Sequence, residues 1–195
     1  MKKLTTLLLA VAGIVTIYLF AQENVKLPEG WFPTGSNPSA YEMGVDNSVY
    51  QSGKSSAFIQ SKNVDTKGFG TLMQRISAEN YLDKRLRLTG YIKSKDVNGW
   101  SGMWMRIDGD KGEQLGFDNM QTRPIKGTID WKQYEIVLDV PANSKTINYG
   151  VLLSADGKVW FDNLKLEAVN KNVPVTASEK EKHLSKEPVN MDLEE

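Results

Sequence analysis

The chain has 195 residues, enough for one domain with a substantial hydrophobic core. Its 24 basic and 24 acidic residues give a formal net charge of zero, so charge offers no case for binding nucleic acid or an anionic membrane surface. The absence of cysteine excludes disulfide bridges and any cysteine-based catalytic or metal site.

The amino terminus has the pattern of a targeting segment. Three residues with two lysines precede an almost wholly apolar stretch, residues 4–20, and Ala21 ends it before polar residues begin. This predicts a secretory signal peptide over residues 1–21, cleaved after Ala21. Leu19 is larger than the small residue usual three positions before a cut, so an uncleaved membrane anchor of about 18 apolar residues remains an alternative. Either alternative predicts an exported protein: periplasmic, extracellular or anchored facing outward.

After a linker at residues 22–29, the chain up to residue 169 alternates apolar and polar residues in short segments. Turn residues separate these segments, at Asn98-Gly99, Asp108-Gly109, Lys126-Gly127 and Asp156-Gly157. Trp31 and Phe32 are expected to pack an amino-terminal strand. The predicted strands are 41–44, 56–62, 70–77, 85–95, 103–108, 114–118, 133–140, 147–154 and 159–167. About nine evenly spaced strands predict an all-β antiparallel sandwich or barrel over residues 30–169.

The pattern stops at residue 170. Residues 170–195 are rich in lysine and glutamate and contain no aromatic residue. Such a segment buries too little apolar surface to order itself, which predicts a flexible charged tail.

Three stretches carry a resemblance to a known fold. The first is the closing segment, residues 157–167, with Trp160-Phe161-Asp162-Asn163 at its centre. The others are residues 49–59, a turn into an early strand, and residues 86–93. Together they resemble the galactose-binding-like jelly roll, the fold of several carbohydrate-binding modules and of accessory domains in bacterial regulators and peptidases. The resemblance implies a β-sandwich of jelly-roll type over the whole domain.

The resemblance also implies a structural calcium ion, because jelly rolls of this type often hold one between their first and last strands. Glu42, Asp46 and Asp162 match by location, and oxygen ligands suit Ca²⁺. The alternative is that Asp162 caps a turn or pairs with Lys54. Apart from this ion, no cofactor is predicted.

Catalytic patterns are weak. The only histidine, His183, lies in the predicted tail, so a Ser-His-Asp triad or a histidine-ligated zinc site lacks its central residue. A pair of carboxylates could in principle hydrolyse a glycoside, but most aspartates here fall at turns. We expect no enzymatic activity.

The segment from Trp100 to Asp108 has the mixture of groups that a sugar site needs. Sugars are held by an aromatic platform and by planar polar side chains. On a strand, Trp104, Arg106 and Asp108 share one face, whereas Met103, Met105 and Ile107 form an apolar face suited to the core. The polar row could equally be a structural ladder between strands. Trp100 is a further candidate because it lies in a predicted loop.

Three other residues complete the candidate ligand site. Gln74 shares a face with Leu72 and Ile76 and is expected to point into a concave groove. Asn119 and Arg123 are expected at its rim, in a polar segment that follows a strand. The sequence thus favours an exported, non-catalytic module for a carbohydrate or another extended polar ligand, such as a cell-envelope component. A protein-interaction or envelope-structural domain without sugar affinity is the alternative. Neither hypothesis involves nucleic acid, and a membrane enters only through an uncleaved amino terminus.

Overall fold

The structure, a computed structural model, describes residues 26–176 and Met191. The predicted signal peptide or anchor at residues 1–21 lies outside the described residues, as does most of the predicted tail. Within the described part, no helix is long and apolar enough to cross a membrane.

The described residues form nine strands and two short 3₁₀ helices, which confirms the all-β prediction. The helices are Pro38–Ala40 and Glu79–Tyr81. The strands are β1 (Phe32–Gly35), β2 (Tyr41–Asp46), β3 (Ser56–Ser61), β4 (Phe69–Ser77), β5 (Arg85–Gly109), β6 (Gln114–Asp118), β7 (Ile125–Asp139), β8 (Ser144–Ser154) and β9 (Lys158–Val169).

The long strand β5 belongs to both layers of the sandwich. Its first arm, residues 85–95, pairs with β7 and β9, and its second arm, residues 100–109, pairs with β8 and β6. One layer therefore has the order β1-β4-β8-β5-β6, which we call the groove sheet. The other has the order β2-β3-β9-β5-β7, which we call the back sheet. All pairings are antiparallel, as in a jelly roll.

The predicted turns at Lys126-Gly127 and Asn98-Gly99 are wrong, because the first pair lies inside β7 and the second inside β5. The predicted strands 85–95 and 103–108 are therefore two arms of one bent strand. The pairing of β5 with β7 shifts register between residues 92 and 101, and Asp96 has a φ of 52°. A Cβ on Gly99 would lie 2.3 Å from the carbonyl oxygen of Ser154. The turn-forming residues thus allow a bulged bend and a close strand approach without reversing the chain.

The core lies between the two sheets and follows the predicted alternation. Leu86, Leu88 and Ile92 from the first arm of β5 are fully buried. So are Met103, Met105 and Ile107 from the second arm, which confirms the apolar face assigned to that arm. Apolar side chains on one face of each arm therefore provide much of the burial that stabilises the sandwich.

The chain remains attached to the domain beyond residue 169, where the flexible tail was predicted to begin. The Thr176 N–H donates to the carbonyl of Val137 (2.9 Å), and the Thr176 hydroxyl donates to Asp118 (2.6 Å). Arg85 donates to the carbonyls of Lys171 and Val173, both at 2.7 Å. On the side of residues 171–176, these contacts use backbone groups and one threonine. The low apolar content of the segment therefore could not predict that its first residues bind to the domain.

Candidate functional site

A groove of about 420 Å³ lies on the outer face of the groove sheet. Strands β4 and β8, the second arm of β5 and the end of β6 form it, with β1 along one edge. Its lining combines aromatic, apolar and planar polar side chains: Thr34, Phe69, Thr71, Met73, Arg75, Trp100, Trp104, Arg106, Phe117, Asn119, Asn148, Leu152 and Ser154, with the backbone of Gly35.

Strand register places the groove residues in rows across β4, β8 and β5. The rows are Phe69–Ser154–Trp100, Met73–Gly150–Trp104 and Arg75–Asn148–Arg106. Because alternate residues along a strand share a face, the three rows all lie on the outer side. The groove thus presents two tryptophans and two arginines on one open surface.

Trp104 is held in place by a hydrogen bond that crosses β8. Its indole Nε1–H donates to the Thr71 hydroxyl oxygen at 2.8 Å, and that hydroxyl donates to the carbonyl of Val151 at 2.7 Å. The strand between them has no side chain opposite Trp104, because Gly150 occupies that position. A Cβ on Gly150 would lie 2.3 Å from the carbonyl oxygen of Leu72. The glycine therefore allows β8 to lie close to the backbone of β4 at the row that contains Trp104.

A buried polar network supports the arginine row. Asn148, which is 1% exposed, accepts a hydrogen bond from Arg75 Nε at 2.6 Å and donates to Asp108 Oδ2 at 2.8 Å. Arg106 donates to the same Asp108 oxygen from Nε at 3.1 Å and from Nη2 at 2.8 Å. The other oxygen of Asp108, Oδ1, is buried and has no hydrogen-bond partner among the described residues. The two arginines are thus connected by a buried chain of hydrogen bonds that runs from Arg75 through Asn148 and Asp108 to Arg106.

The structure brings together most of the predicted ligand-site residues. Trp100, Trp104, Arg106 and Asn119 line the groove, and Asp108 lies beneath Arg106. Whether they contact a ligand stays a prediction.

Two predicted residues lie elsewhere. Gln74 does share a face with Leu72, but Leu72 is fully buried in the core, so this is the inner face of β4. The Gln74 side chain accepts a hydrogen bond from the Tyr149 hydroxyl at 2.5 Å. Arg123 forms a two-pronged ion pair with Asp118, at 3.1 and 2.7 Å. The Arg123 guanidinium is therefore engaged by Asp118, and Arg123 does not line the groove.

Sequence reasoning missed Arg75 and Asn148. Arg75 and Gln74 are neighbours on β4 and point to opposite faces of the sheet. Because the sequence analysis takes the inner face of β4 for the groove face, it predicts Gln74 in the groove in place of Arg75. The available signal was the apolar pair Leu72 and Ile76 on either side of Gln74, which is more typical of a core face. Asn148 falls between Ile147 and Tyr149 on β8, and such a polar residue needs partners when buried.

The residues predicted to hold calcium do not form a metal-binding group. No cluster of three acidic or histidine side chains that could hold a metal ion occurs in the described ranges. Asp162 Oδ2 accepts the backbone N–H groups of Gln51 and Ser52, at 3.0 and 3.1 Å, and so caps a turn. Glu42 is exposed on β2. The calcium hypothesis therefore gains no support from the structure.

Asp46 is also fully engaged in structural hydrogen bonds. Oδ1 accepts from the backbone and hydroxyl of Ser48 and from the Val49 N–H, and Oδ2 accepts from the Trp160 indole at 2.8 Å. Partial burial acts to raise the pKa of Asp46, but these hydrogen bonds outweigh it and hold the pKa well below its usual value. The carboxylate thus joins β2 to the closing strand β9 through a hydrogen bond.

The comparisons with known proteins agree on the fold. No protein-family model matches the chain. The xylan-binding domain CBM22-1 of Xyn10C from Paenibacillus barcinonensis has a TM-score of 0.53 at 14% identity, over 74% of this chain and 88% of that domain. The Stig cyclase Fisc from Fischerella sp. TAU has a TM-score of 0.54 at 17% identity, over 74% of this chain and 87% of that protein. The domain therefore has the galactose-binding-like jelly-roll fold of carbohydrate-binding modules, a fold that a cyclase also has.

One curated relative is similar in sequence. It is named an uncharacterized HTH-type transcriptional regulator, YbfP, from Bacillus subtilis, and is 46% identical over 171 residues. The match covers 87% of this chain and 58% of the length of YbfP. The match is long enough to include most of the described β-domain, and the described residues, whose two helices have three residues each, do not form a helix-turn-helix motif.

Proposed function

We propose that this chain is a non-catalytic binding module that holds a carbohydrate or another extended polar ligand in its groove. The observation that carries the proposal is the position of Trp104, which lines the groove opposite Gly150 and next to the row of Arg75, Asn148 and Arg106. An aromatic ring next to planar polar groups is what pyranose recognition requires. The jelly-roll fold shared with xylan-binding modules is consistent with this use.

The groove residues supply the two kinds of contact that this proposal needs. The indole of Trp104 and the ring of Trp100 offer faces to the apolar side of a sugar, while Asn119 and the arginines offer planar hydrogen-bonding groups to hydroxyls. Asp108, beneath the groove, already accepts three hydrogen bonds from Arg106 and Asn148 through Oδ2. In this proposal its role is to orient these side chains.

Trp104→Ala is expected to weaken glycan binding at least tenfold, because a central aromatic anchor typically dominates the binding energy of such a site. Binding is measured on a glycan array and then by calorimetry. Trp131→Ala is the matched control, since Trp131 lies on β7 of the back sheet. Arg106→Ala is compared in the same way with Arg87→Ala, another ion-paired arginine on β5. If the wild-type protein binds no glycan at millimolar concentration, the proposal is lost.

A protein-interaction domain without sugar affinity is the second candidate. The observation that favours it is Phe32, which is 40% exposed on the edge strand β1 and pairs in register with Met73 of the groove. An exposed large apolar residue beside a groove also suits a protein partner. Under this alternative, Phe32→Ala weakens capture of a protein partner, and no glycan binds.

Export is the final part of the proposal. It is supported by the basic start, the apolar stretch at residues 4–20 and the small residue Ala21. When the full chain is expressed in a bacterium, intact mass spectrometry of the exported fraction should show loss of residues 1–21, or the full chain if the segment is an anchor. Recovery of the uncleaved chain only from the cytoplasm would contradict export.

A further inference from the structure

The charge of the groove is unbalanced. Its lining contains two ionisable side chains, Arg75 and Arg106, and both are cationic. Asp108 lies beneath them, with its side chain 7% exposed, and forms an ion pair with Arg106 at 2.8 Å. These three groups together carry one net positive charge. A ligand that enters the groove therefore meets a cation that no lining carboxylate balances.

Arg75 carries that unbalanced charge. Its described hydrogen bond is from Nε to the amide oxygen of Asn148, and no carboxylate among the described residues forms an ion pair with it. The Arg75 side chain lies in the groove and the residue is exposed. Its two terminal nitrogens, Nη1 and Nη2, have no hydrogen-bond partner among the described residues.

The guanidinium is also fixed before any ligand arrives. Asn148 is buried and is itself held by Asp108, so the bond to Nε restrains the plane of the Arg75 guanidinium. The free edge then presents two parallel N–H groups, the geometry that binds two oxygens of one oxyanion. A pre-oriented arginine loses little conformational entropy when it binds such a group.

We propose that the groove binds an acidic glycan, whose singly charged oxyanion pairs with Arg75 while a neighbouring sugar stacks on Trp104. The inference rests on the proposed function and adds the ligand class to it. Both a uronate carboxylate and a sulfate ester carry the single charge that balances the groove. Arg75 and Trp104 lie on strands separated only by β8, about 10 Å apart across the sheet, so one short oligosaccharide can reach both.

Pairs of polymers that share a backbone, one with the anionic group and one without it, test the proposal. Polygalacturonate is compared with its fully methyl-esterified form for the carboxylate, and dextran sulfate with dextran for the sulfate ester. Wild-type protein is expected to bind one acidic member about tenfold or more tightly than its neutral counterpart, with an affinity that falls as sodium chloride is added. The arm that shows this difference identifies the oxyanion.

Variants assign the effect to Arg75. Arg75→Gln should weaken binding to the acidic member far more than binding to the neutral one and so remove most of the preference, whereas Arg75→Lys should retain part of it. Arg87→Gln on the back sheet is the matched control, because it removes the same charge away from the groove. Urea unfolding of each variant confirms that the fold is intact.

The possible failures are distinct. If acidic and neutral members bind equally, or if Arg75→Gln weakens both alike, the acidic-glycan proposal is overturned and the carbohydrate module stands. If neutral glycans bind and neither acidic polymer does, the acidic-glycan proposal is likewise overturned and the carbohydrate module stands. If no glycan of either kind binds, both proposals fail together.

Discussion

Phe161→Ala is expected to lower the free energy of unfolding by about 3 to 5 kcal/mol, because it removes a large side chain from a close-packed core. Phe161 is 2% exposed and packs against Trp31, with ring centroids 5.5 Å apart. Its strand β9 lies between β3 and the first arm of β5, so the surrounding sheet has little freedom to close over the cavity. A loss of that size is a large fraction of the stability of an ordinary domain.

Urea unfolding followed by tryptophan fluorescence measures this loss, with residues 26–176 compared as wild type and variant. Phe32→Ala is the matched control, since it makes the same chemical change at a residue that is 40% exposed. It should cost less than about 1.5 kcal/mol. Equal losses from the two variants would show that Phe161 is not the core residue the structure describes.

Asn148→Ala should lower the free energy of unfolding by about 2 to 3 kcal/mol, since it leaves buried polar groups without partners. The variant removes the donor to Asp108 Oδ2 and the acceptor for Arg75 Nε. Asp108 then retains hydrogen bonds only from Arg106, whose side chain is 42% exposed. Even before the change, Asp108 Oδ1 has no hydrogen-bond partner among the described residues. Denaturant unfolding gives the value, and Asn143→Ala, at an exposed position before β8, is the control.

A double-mutant cycle tests whether the network acts as a unit. Asp108→Ala should cost a similar amount to Asn148→Ala, and the double variant should cost clearly less than the two losses added together. Additive losses would mean that Asn148 and Asp108 stabilise the domain independently. A loss below about 0.5 kcal/mol for Asn148→Ala would contradict the network itself.

Strand alternation predicted the groove face correctly on β5 and incorrectly on β4. On β5, an unbroken apolar set at 103, 105 and 107 left Trp104 and Arg106 only the outer face. On β4, both faces contain apolar residues, because Met73 lines the groove while Leu72 lies in the core. A single strand cannot distinguish two such faces, so the sequence predicts Gln74 in the groove, where the structure has Arg75. Only pairing with β8 resolves this.

Turn residues were equally ambiguous at the centre of the domain. Asp108-Gly109 lies at the end of β5, where the chain reverses into its antiparallel partner β6, as predicted. Asn98-Gly99 instead marks a bend in one strand that passes from the back sheet to the groove sheet. The local preferences of the two pairs are similar, because both favour unusual backbone angles. What differs is the neighbouring strand, which continues β5 into a second set of hydrogen bonds.

The sequence by itself determined the all-β class, most of the strands and the apolar faces that form the core, because side-chain alternation is a local property of each strand. Only the tertiary structure decided which polar residues meet. Arg75, Trp104 and Asn148 are up to 73 positions apart along the chain and become neighbours through the register of β4, β8 and β5. That register depends on interactions between distant strands, including the approach that Gly150 allows, and no local pattern encodes it.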